Sequence, residues 1–218
     1  MSTRRLLVTA GPTWVPLDAV RHLANGSTGR MGATLARAAA AAGWDVTLLY
    51  GPGCHPITAE DEHRVLVLRF TTFDELHALL REQIGSRSHT GVVHAAAVSD
   101  YRPAAAVPGK IGSDAAELVL RLLRTPKLVD EIKRLDPEIV LVAFKLTVDL
   151  PREAMLRSAE ALRRRCGAEL MVANDQATFS RERHPALLLD ESGVLAETET
   201  PEALAVPLLN AIERRMRR

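Results

Sequence analysis

The stretch RRLLVTAGPTWVPLDAVRHLANGSTGRMGATLARAAAAAG, Arg4 to Gly43, decides the fold class of this chain. Arg4 to Ala10 is a short aliphatic run that ends at Gly11-Pro12, the pattern of a strand buried on both faces. From about Thr28 to Ala42 the pattern is helical, with Gly43 as the C-terminal stop. The link between them is out of proportion. Strand-to-helix loops in α/β units usually take roughly 2–6 residues, whereas this one runs from Gly11 to Ser27. A long loop after the carboxyl end of a first strand lies where open α/β sheets bind ligands. It is expected to be functional.

The alternation continues along the chain. DVTLLYG, RVLVLRF and GVVHAAA read as strands, and TFDELHALLREQIG as an amphipathic helix with Thr72 at its N-cap. ELVLRLL is a further candidate strand. TPKLVDEIKRL reads as a helix with Pro126 in its first turn, and EIVLVAFKL as a strong strand. PREAMLRSAEALRRRCG is helical, AELMVAND a strand, and PALLLDESGVLAET a hairpin around Glu191-Ser192-Gly193. TPEALAVPLLNAIERRMRR closes the chain as a helix whose basic end suits the C-terminal dipole. The expectation is one α/β domain over residues 1–218: a Rossmann-like, mostly parallel sheet with helices on both faces and a small C-terminal hairpin.

Composition narrows the function. The 218 residues are 47% hydrophobic and 25% charged, with a formal net charge of +1, so no bulk field recruits nucleic acid or a membrane surface. Aromatic residues make up only 4%, too few for stacking platforms on single-stranded nucleic acid. Cys54 and Cys166 form no CxxC, and no Cys/His cluster has zinc-like spacing. MSTRRLLVTAG lacks the long apolar run of a signal peptide, and no segment is long enough to span a bilayer. A cytoplasmic location is expected.

Polar groups gather at the predicted strand ends. No GxGxxG or GxxxxGK[ST] occurs, but Ser27-Thr28-Gly29-Arg30 opens a helix whose free amides and dipole favour an anion. The plainer alternative is a Ser/Thr cap beside a solvated Arg30. HAAAVSDYRP brings Asp100 and Arg102 to another strand end, and its alanines leave room for a flat ligand. His94 lies mid-strand, as a hydrogen-bonded core residue would. Lys110 sits on a glycine-flanked loop from which it can reach phosphates. Phe144 and Lys145 close a further strand, and Ala173-Asn174-Asp175 another, where an Asx turn is the alternative. Together these ends point to one anionic, nucleotide-like ligand.

At these residues the sequence resembles the phosphopantothenoylcysteine synthetase (phosphopantothenate–cysteine ligase) family. TAGPTWVPLDAVRHLANGSTGRMG, AAAVSDYRPAAAVPGKIGS, TPK, AFK and AND follow that family's motifs in order over nearly the whole chain. The resemblance implies a stand-alone homodimer that joins 4'-phosphopantothenate to L-cysteine in coenzyme A biosynthesis. The acid is first activated as an acyl-nucleotidylate by CTP or ATP with Mg²⁺. The flavin-binding decarboxylase domain is absent from this sequence, so FMN is not expected.

Carried over by position, Asn25 would orient the acyl-nucleotidylate for attack by cysteine, with Lys110 balancing the triphosphate. Gly11, Ser27, Thr28 and Gly29 would hold phosphate, and Ala96, Asp100, Phe144 and Lys145 would line the nucleotide. Arg21 and Arg30 would help Asn25 place the acid substrate. The chain departs from the commoner bacterial pattern at Trp14, Val15, Gly26, Thr147 and Cys166, and at Gly112-Ser113 after Ile111. These departures leave the nucleotide open. They also keep two other readings in view: a paralogous acid–amine ligase, and a non-catalytic nucleotide-binding regulatory module.

Overall fold

Continuous apolar runs in this chain become strands covered on both faces. The computed structural model describes residues 4–54, 58, 63–105, 108–180 and 182–216. Met1 to Thr3 of the segment read for a signal, Ala106-Val107 of the lysine loop, and the terminal Arg217-Arg218 lie outside them. The main sheet contains β1 (Arg5–Ala10), β4 (Asp45–Tyr50), β5 (Leu66–Arg69), β6 (Gly91–His94), β9 (Val140–Thr147), β10 (Leu170–Asp175), β11 (Ala186–Asp190) and β12 (Gly193–Thr198). Its order is β12-β11-β10-β9-β6-β1-β4-β5. The six strands from β10 to β5 pair in parallel, while β11 and β12 add an antiparallel edge. The expected C-terminal hairpin therefore extends the main sheet.

Alternate residues of these strands feed two cores, because successive side chains point to opposite faces. Leu6, Val8, Val93 and Val142 pack beneath α1 (Arg30–Ala41) and α5 (Pro201–Met216). Leu7, Val92, Leu141 and Met171 face α2 (Phe73–Gly85), α3 (Val129–Leu135) and α4 (Arg152–Cys166). Helix α2 starts as its sequence implies. Thr72 accepts from the Glu75 amide at 3.3 Å while the Glu75 carboxylate accepts from the Thr72 amide at 3.1 Å, a reciprocal cap. The alanine-rich α1 lies close on β1, with Gly32 against Ala10. The end of α5 is anchored by an Arg215–Asp190 ion pair that is almost wholly buried.

Several boundaries differ from the sequence-based expectation. Helix α1 begins at Arg30, since Gly29 takes a left-handed conformation (φ 69°) that ends the loop. Pro126 precedes α3, which starts at Val129. Of ELVLRLL only Leu122 and Leu123 fall in a strand, β8 (Leu122–Arg124), which pairs antiparallel with β7 (Tyr101–Pro103) in a ribbon away from the main sheet. The long loop contains a hairpin, β2 (Trp14–Pro16) with β3 (His22–Ala24). Its two strands are joined by Trp14 stacked on His22 at 3.7 Å. Three-residue strands carry too little periodicity to be seen in advance.

Candidate active site

Strands added after β1 run to one side through β4 and β5, and β6 starts the other side next to β1. The order reverses there, and the two neighbouring carboxyl ends open a crevice. The crevice is a cleft of two lobes. The first, about 500 Å³, is lined by Asn25, His94, Asp100, Lys127, Lys145 and Arg165, among others. The second, about 460 Å³, is lined by Thr28 to Gly32, Asn174 and His184, among others. Ser27, Ala96, Phe144 and Phe179 border both.

Each wall has a local cause. Asn25 follows β3 directly, and its Nδ2 donates to the Ala97 carbonyl at 3.1 Å and the Val98 carbonyl at 3.3 Å. Only an NH₂ group can meet two carbonyl oxygens, so the amide orientation is set and Oδ1 remains for a ligand. The N-cap of α1, Gly29, has no side chain to cap it; Ser27 Oγ accepts from the Gly29 amide at 3.3 Å and Thr28 Oγ1 from the Arg30 amide at 3.5 Å. First-turn amides with the positive end of the helix dipole therefore border the second lobe. The small residues Ala95, Ala96 and Ala97 keep that wall low, as the alanine run suggested. Asp100 is paired with Lys127 at 2.5 Å, and Arg165 with Asp130 at 3.2 Å.

Of the residues singled out from sequence, Asn25, Ser27, Thr28, Gly29, Arg30, Ala96, Asp100, Phe144 and Lys145 meet in this cleft. Arg30 also approaches Glu202 at 3.7 Å. Others stand elsewhere: Arg102 is paired with Asp74 at 3.4 Å and lines neither lobe. Gly11 lies beside Cys54 and accepts from the Ala97 amide at 2.9 Å, outside both lobes. Arg21 grips the buried Asp18 carboxylate (2.6 and 3.0 Å) and donates to the Ile111 carbonyl at 2.7 Å. A buried carboxylate needs a cation, and that need takes Arg21 away from the cleft. Asp18 also accepts from the Ile111, Val20 and Arg21 amides, and these bonds with Arg21 hold its carboxyl far below the usual range. Lys110 is exposed on the loop that this network fastens to the hairpin, and it lines neither lobe.

The segment after β10 was missed. Phe179 stacks on His184 at 3.7 Å, and His184 Nε2 lies 3.1 Å from Asn174 Nδ2, which donates to it. Burial, and then Arg30, lower the His184 pKa. The polar end of VAND pointed to this wall, but nothing in QATFSRERH has the period of an element. Asp175 forms the Asx turn that was the alternative reading of this strand end. Its carboxylate accepts from the Thr147 hydroxyl and from the amides of Asp149, Leu150 and Ala177.

The Thr147 hydroxyl, followed by those amides and against the opposing effect of burial, pulls the Asp175 pKa to about 2. A folded-state pKa below the unfolded value near 4 means that the contribution to stability is complete above about pH 4. It is lost as pH falls from there towards 2. Asp175→Asn is expected to lower the thermal midpoint at pH 7 and to flatten its decline between about pH 4 and 2. Differential scanning calorimetry across that window checks both.

Fold and cleft define an α/β domain of Rossmann-like build with its cleft at the switch point of the sheet. The particular family is set by residues 1–216, which match the DNA/pantothenate metabolism flavoprotein C-terminal domain; the chain belongs to this family. It is 34% identical over 186 residues to the coenzyme A biosynthesis bifunctional protein CoaBC of Thermococcus kodakarensis, covering 85% of this chain and 45% of that protein. It is 30% identical over 204 residues to a cysteine/cysteine sulfinic acid decarboxylase from an unknown prokaryotic organism, covering 91% and 54%. The chain thus spans about half the length of these relatives. Among solved structures, the DNA/pantothenate metabolism flavoprotein from Streptococcus pneumoniae superposes with a TM-score of 0.86 at 27% identity, over 97% of this chain and 99% of that one. Among the described residues no helix is long and apolar enough to cross a membrane.

Proposed function

We propose that this chain is a phosphopantothenate–cysteine ligase, joining 4'-phosphopantothenate to L-cysteine by way of an acyl-nucleotidylate made from CTP or ATP. The observation that carries this reading is the path of Asn25 to Gly32. It brings an anchored amide and the amide-bearing start of a helix to one cleft, in a family of pantothenate metabolism. A carboxylate is a poor electrophile until its oxygen becomes part of a good leaving group. In the first step the acid oxygen attacks the α-phosphorus and pyrophosphate departs. In the second, the cysteine amine attacks the acyl carbon, loses a proton and releases the nucleoside monophosphate.

The phosphates are assigned to Ser27, Thr28, Gly29 and the α1 amides, where anions are favoured. Ala96, Asp100, Phe144 and Lys145 are assigned to the nucleoside, and Asn25 with Arg30 to the acid and the incoming amine. Lys110 is assigned to the distal phosphates, on a loop tied through Arg21 to the hairpin that carries Asn25.

Mg²⁺ fits here as part of a metal–nucleotide substrate. Asp100 is the only carboxylate among the described residues that line the two lobes, and no group of three or more metal-binding side chains occurs among the described residues. Magnesium held mainly by phosphates and water needs no more than that. The homodimer is assigned to the β7–β8 ribbon and the residues just ahead of β8, where Tyr101, Leu118, Val119, Leu122 and Leu123 are exposed. A cytoplasmic location belongs to the same reading.

The test is direct. The protein with 4'-phosphopantothenate, cysteine, Mg²⁺ and CTP or ATP is expected to release pyrophosphate; release with neither nucleotide rejects the proposal. Release that requires a different acid identifies the paralogous ligase instead, a reading favoured by the departures at Gly112, Ser113 and Thr147.

A further inference from the structure

His94 ends β6 on the floor of the first lobe. It is 7% exposed, yet it lines the cleft. Its Nδ1 lies 3.0 Å from the hydroxyl of Thr9 on neighbouring β1. That hydroxyl already accepts from the Ala96 amide at 3.1 Å. Thr9 is itself fully buried, so its single proton needs an acceptor, and His94 Nδ1 is the acceptor at hand. This pairing places the ring's proton on Nε2. Burial pushes the His94 pKa down to about 4, so the ring is neutral at pH 7.

Nε2 has no hydrogen-bond partner among the described residues. It is also absent from the fully occluded unpaired polar atoms, whose one member among the described residues is Trp44 Nε1. The ring therefore presents an N–H to the lobe from an otherwise buried position. An N–H held in this way is completed by an acceptor on the ligand.

The surroundings select which acceptor. The lobe that His94 lines is mixed: Val98, Leu128, Leu162 and the Phe144 ring give it apolar surface suited to a flat heterocycle, beside the charged Asp100, Lys127, Lys145 and Arg165. An uncharged donor against the heterocycle suits a carbonyl oxygen or ring nitrogen. Lys127 and Arg165 of this lobe are already paired with Asp100 and Asp130, whereas the amides at the α1 start, in the lobe that His94 does not line, favour a phosphate.

We propose that His94 is a nucleotide-binding residue that donates Nε2–H to an acceptor on the base, which lies in the first lobe while the phosphates lie at the start of α1. This inference rests on the ligase reading above and adds to it the group that reads the base. Thr9 acts through His94 as a positioning residue, fixing which ring nitrogen carries the proton.

Calorimetric titration with CTP and separately with ATP tests it. His94→Leu is expected to weaken the nucleotide that binds the unmodified protein by about tenfold, and His94→Gln, which keeps a donor, to recover most of the loss. The KM for 4'-phosphopantothenate should stay unchanged in both variants. Unaltered nucleotide affinity in His94→Leu overturns the inference and leaves the ligase reading standing. Binding of neither nucleotide by the unmodified protein overturns both.

A second measurement needs no variant. The imidazole ¹⁵N signals of His94 are expected to report the Nε2–H tautomer and to shift on addition of CTP or ATP but not of 4'-phosphopantothenate alone. An Nδ1–H tautomer, or no shift with a nucleotide that binds, overturns it.

Discussion

Asn25→Asp is expected to slow amide formation by roughly 10²- to 10³-fold while pyrophosphate release in a single turnover stays within several-fold of the unmodified protein. The asymmetry comes from where the amide is held. Both Nδ2 hydrogens are spent on the Ala97 and Val98 carbonyls, so the group presented to a ligand is Oδ1. An acceptor there suits the N–H of an incoming amine. Aspartate has the same shape, but it sets a carboxylate oxygen against two carbonyl oxygens, and repulsion drives the side chain out of position. Activation of the acid depends chiefly on the phosphate-binding helix start, and Arg30 also holds the acid, so loss of the Oδ1 acceptor affects that step much less. Rapid-quench analysis with and without cysteine separates the steps. Equal loss of both would show that Asn25 serves binding in general.

The other large effect is on stability. Gly32→Val is expected to cost about 3 kcal/mol and to lower the thermal midpoint by roughly 6–12 °C. A Cβ at residue 32 would lie 2.5 Å from Ala10 Cβ and 3.0 Å from the Thr9 carbonyl oxygen, atoms of the central strand that cannot give way. Helix α1 would have to lift from β1. The damage would also reach the cleft, because the same helix start borders the second lobe. Gly26→Val is the control: a Cβ there meets nothing within 4 Å, and the midpoint should hardly move. Similar losses in the two variants would mean that the close contact of α1 with β1 is not what requires glycine.

The contrast between these two glycines separates what is local from what is not. Both occur within one eight-residue stretch, and no pattern in the sequence ranks them. Gly32 is constrained by a strand twenty-two residues earlier. Gly26 is exposed, and nothing packed against it requires glycine.

The sheet was legible for a simple reason. Strands β1, β6, β9 and β10 are covered on both faces, so their apolar runs are continuous and need no knowledge of neighbours. The cap of α2 was equally legible, since Thr72 and Glu75 are bonded within a single turn. The hairpin of β2 and β3 was not. Its strands are three residues long and are held by Asp18, the Trp14–His22 stack and a bond from the Trp14 amide to the Thr71 carbonyl.

Much of the candidate site could also be read in advance, because polar groups at the ends of buried strands have few other reasons to be there. What a side chain does once placed was less legible. Arg21 has the composition of a substrate ligand, but the buried carboxylate of Asp18 three residues before it takes the guanidinium. His94 was read as a hydrogen-bonded core residue. It is one, and it also opens on the cleft, because β1 supplies Thr9 to one ring nitrogen and leaves the other on the lobe side. Phe179 and His184 carried no signal, and they reach the cleft only because β10 and β11 bracket their loop at the sheet's end.

By itself, then, the sequence determined the alternation of strands and helices, the strand ends that carry polar groups, and the stretch Asn25 to Gly32 as their centre. Burial and period are properties of a segment and its own residues, which is why they could be read there. The tertiary structure decided which of those groups share a lobe, which are consumed by buried partners, and which face of His94 is left for a ligand. Those outcomes depend on contacts between residues eighty or more positions apart, such as Thr9 with His94 and Asp18 with Ile111, and on the order in which the strands assemble.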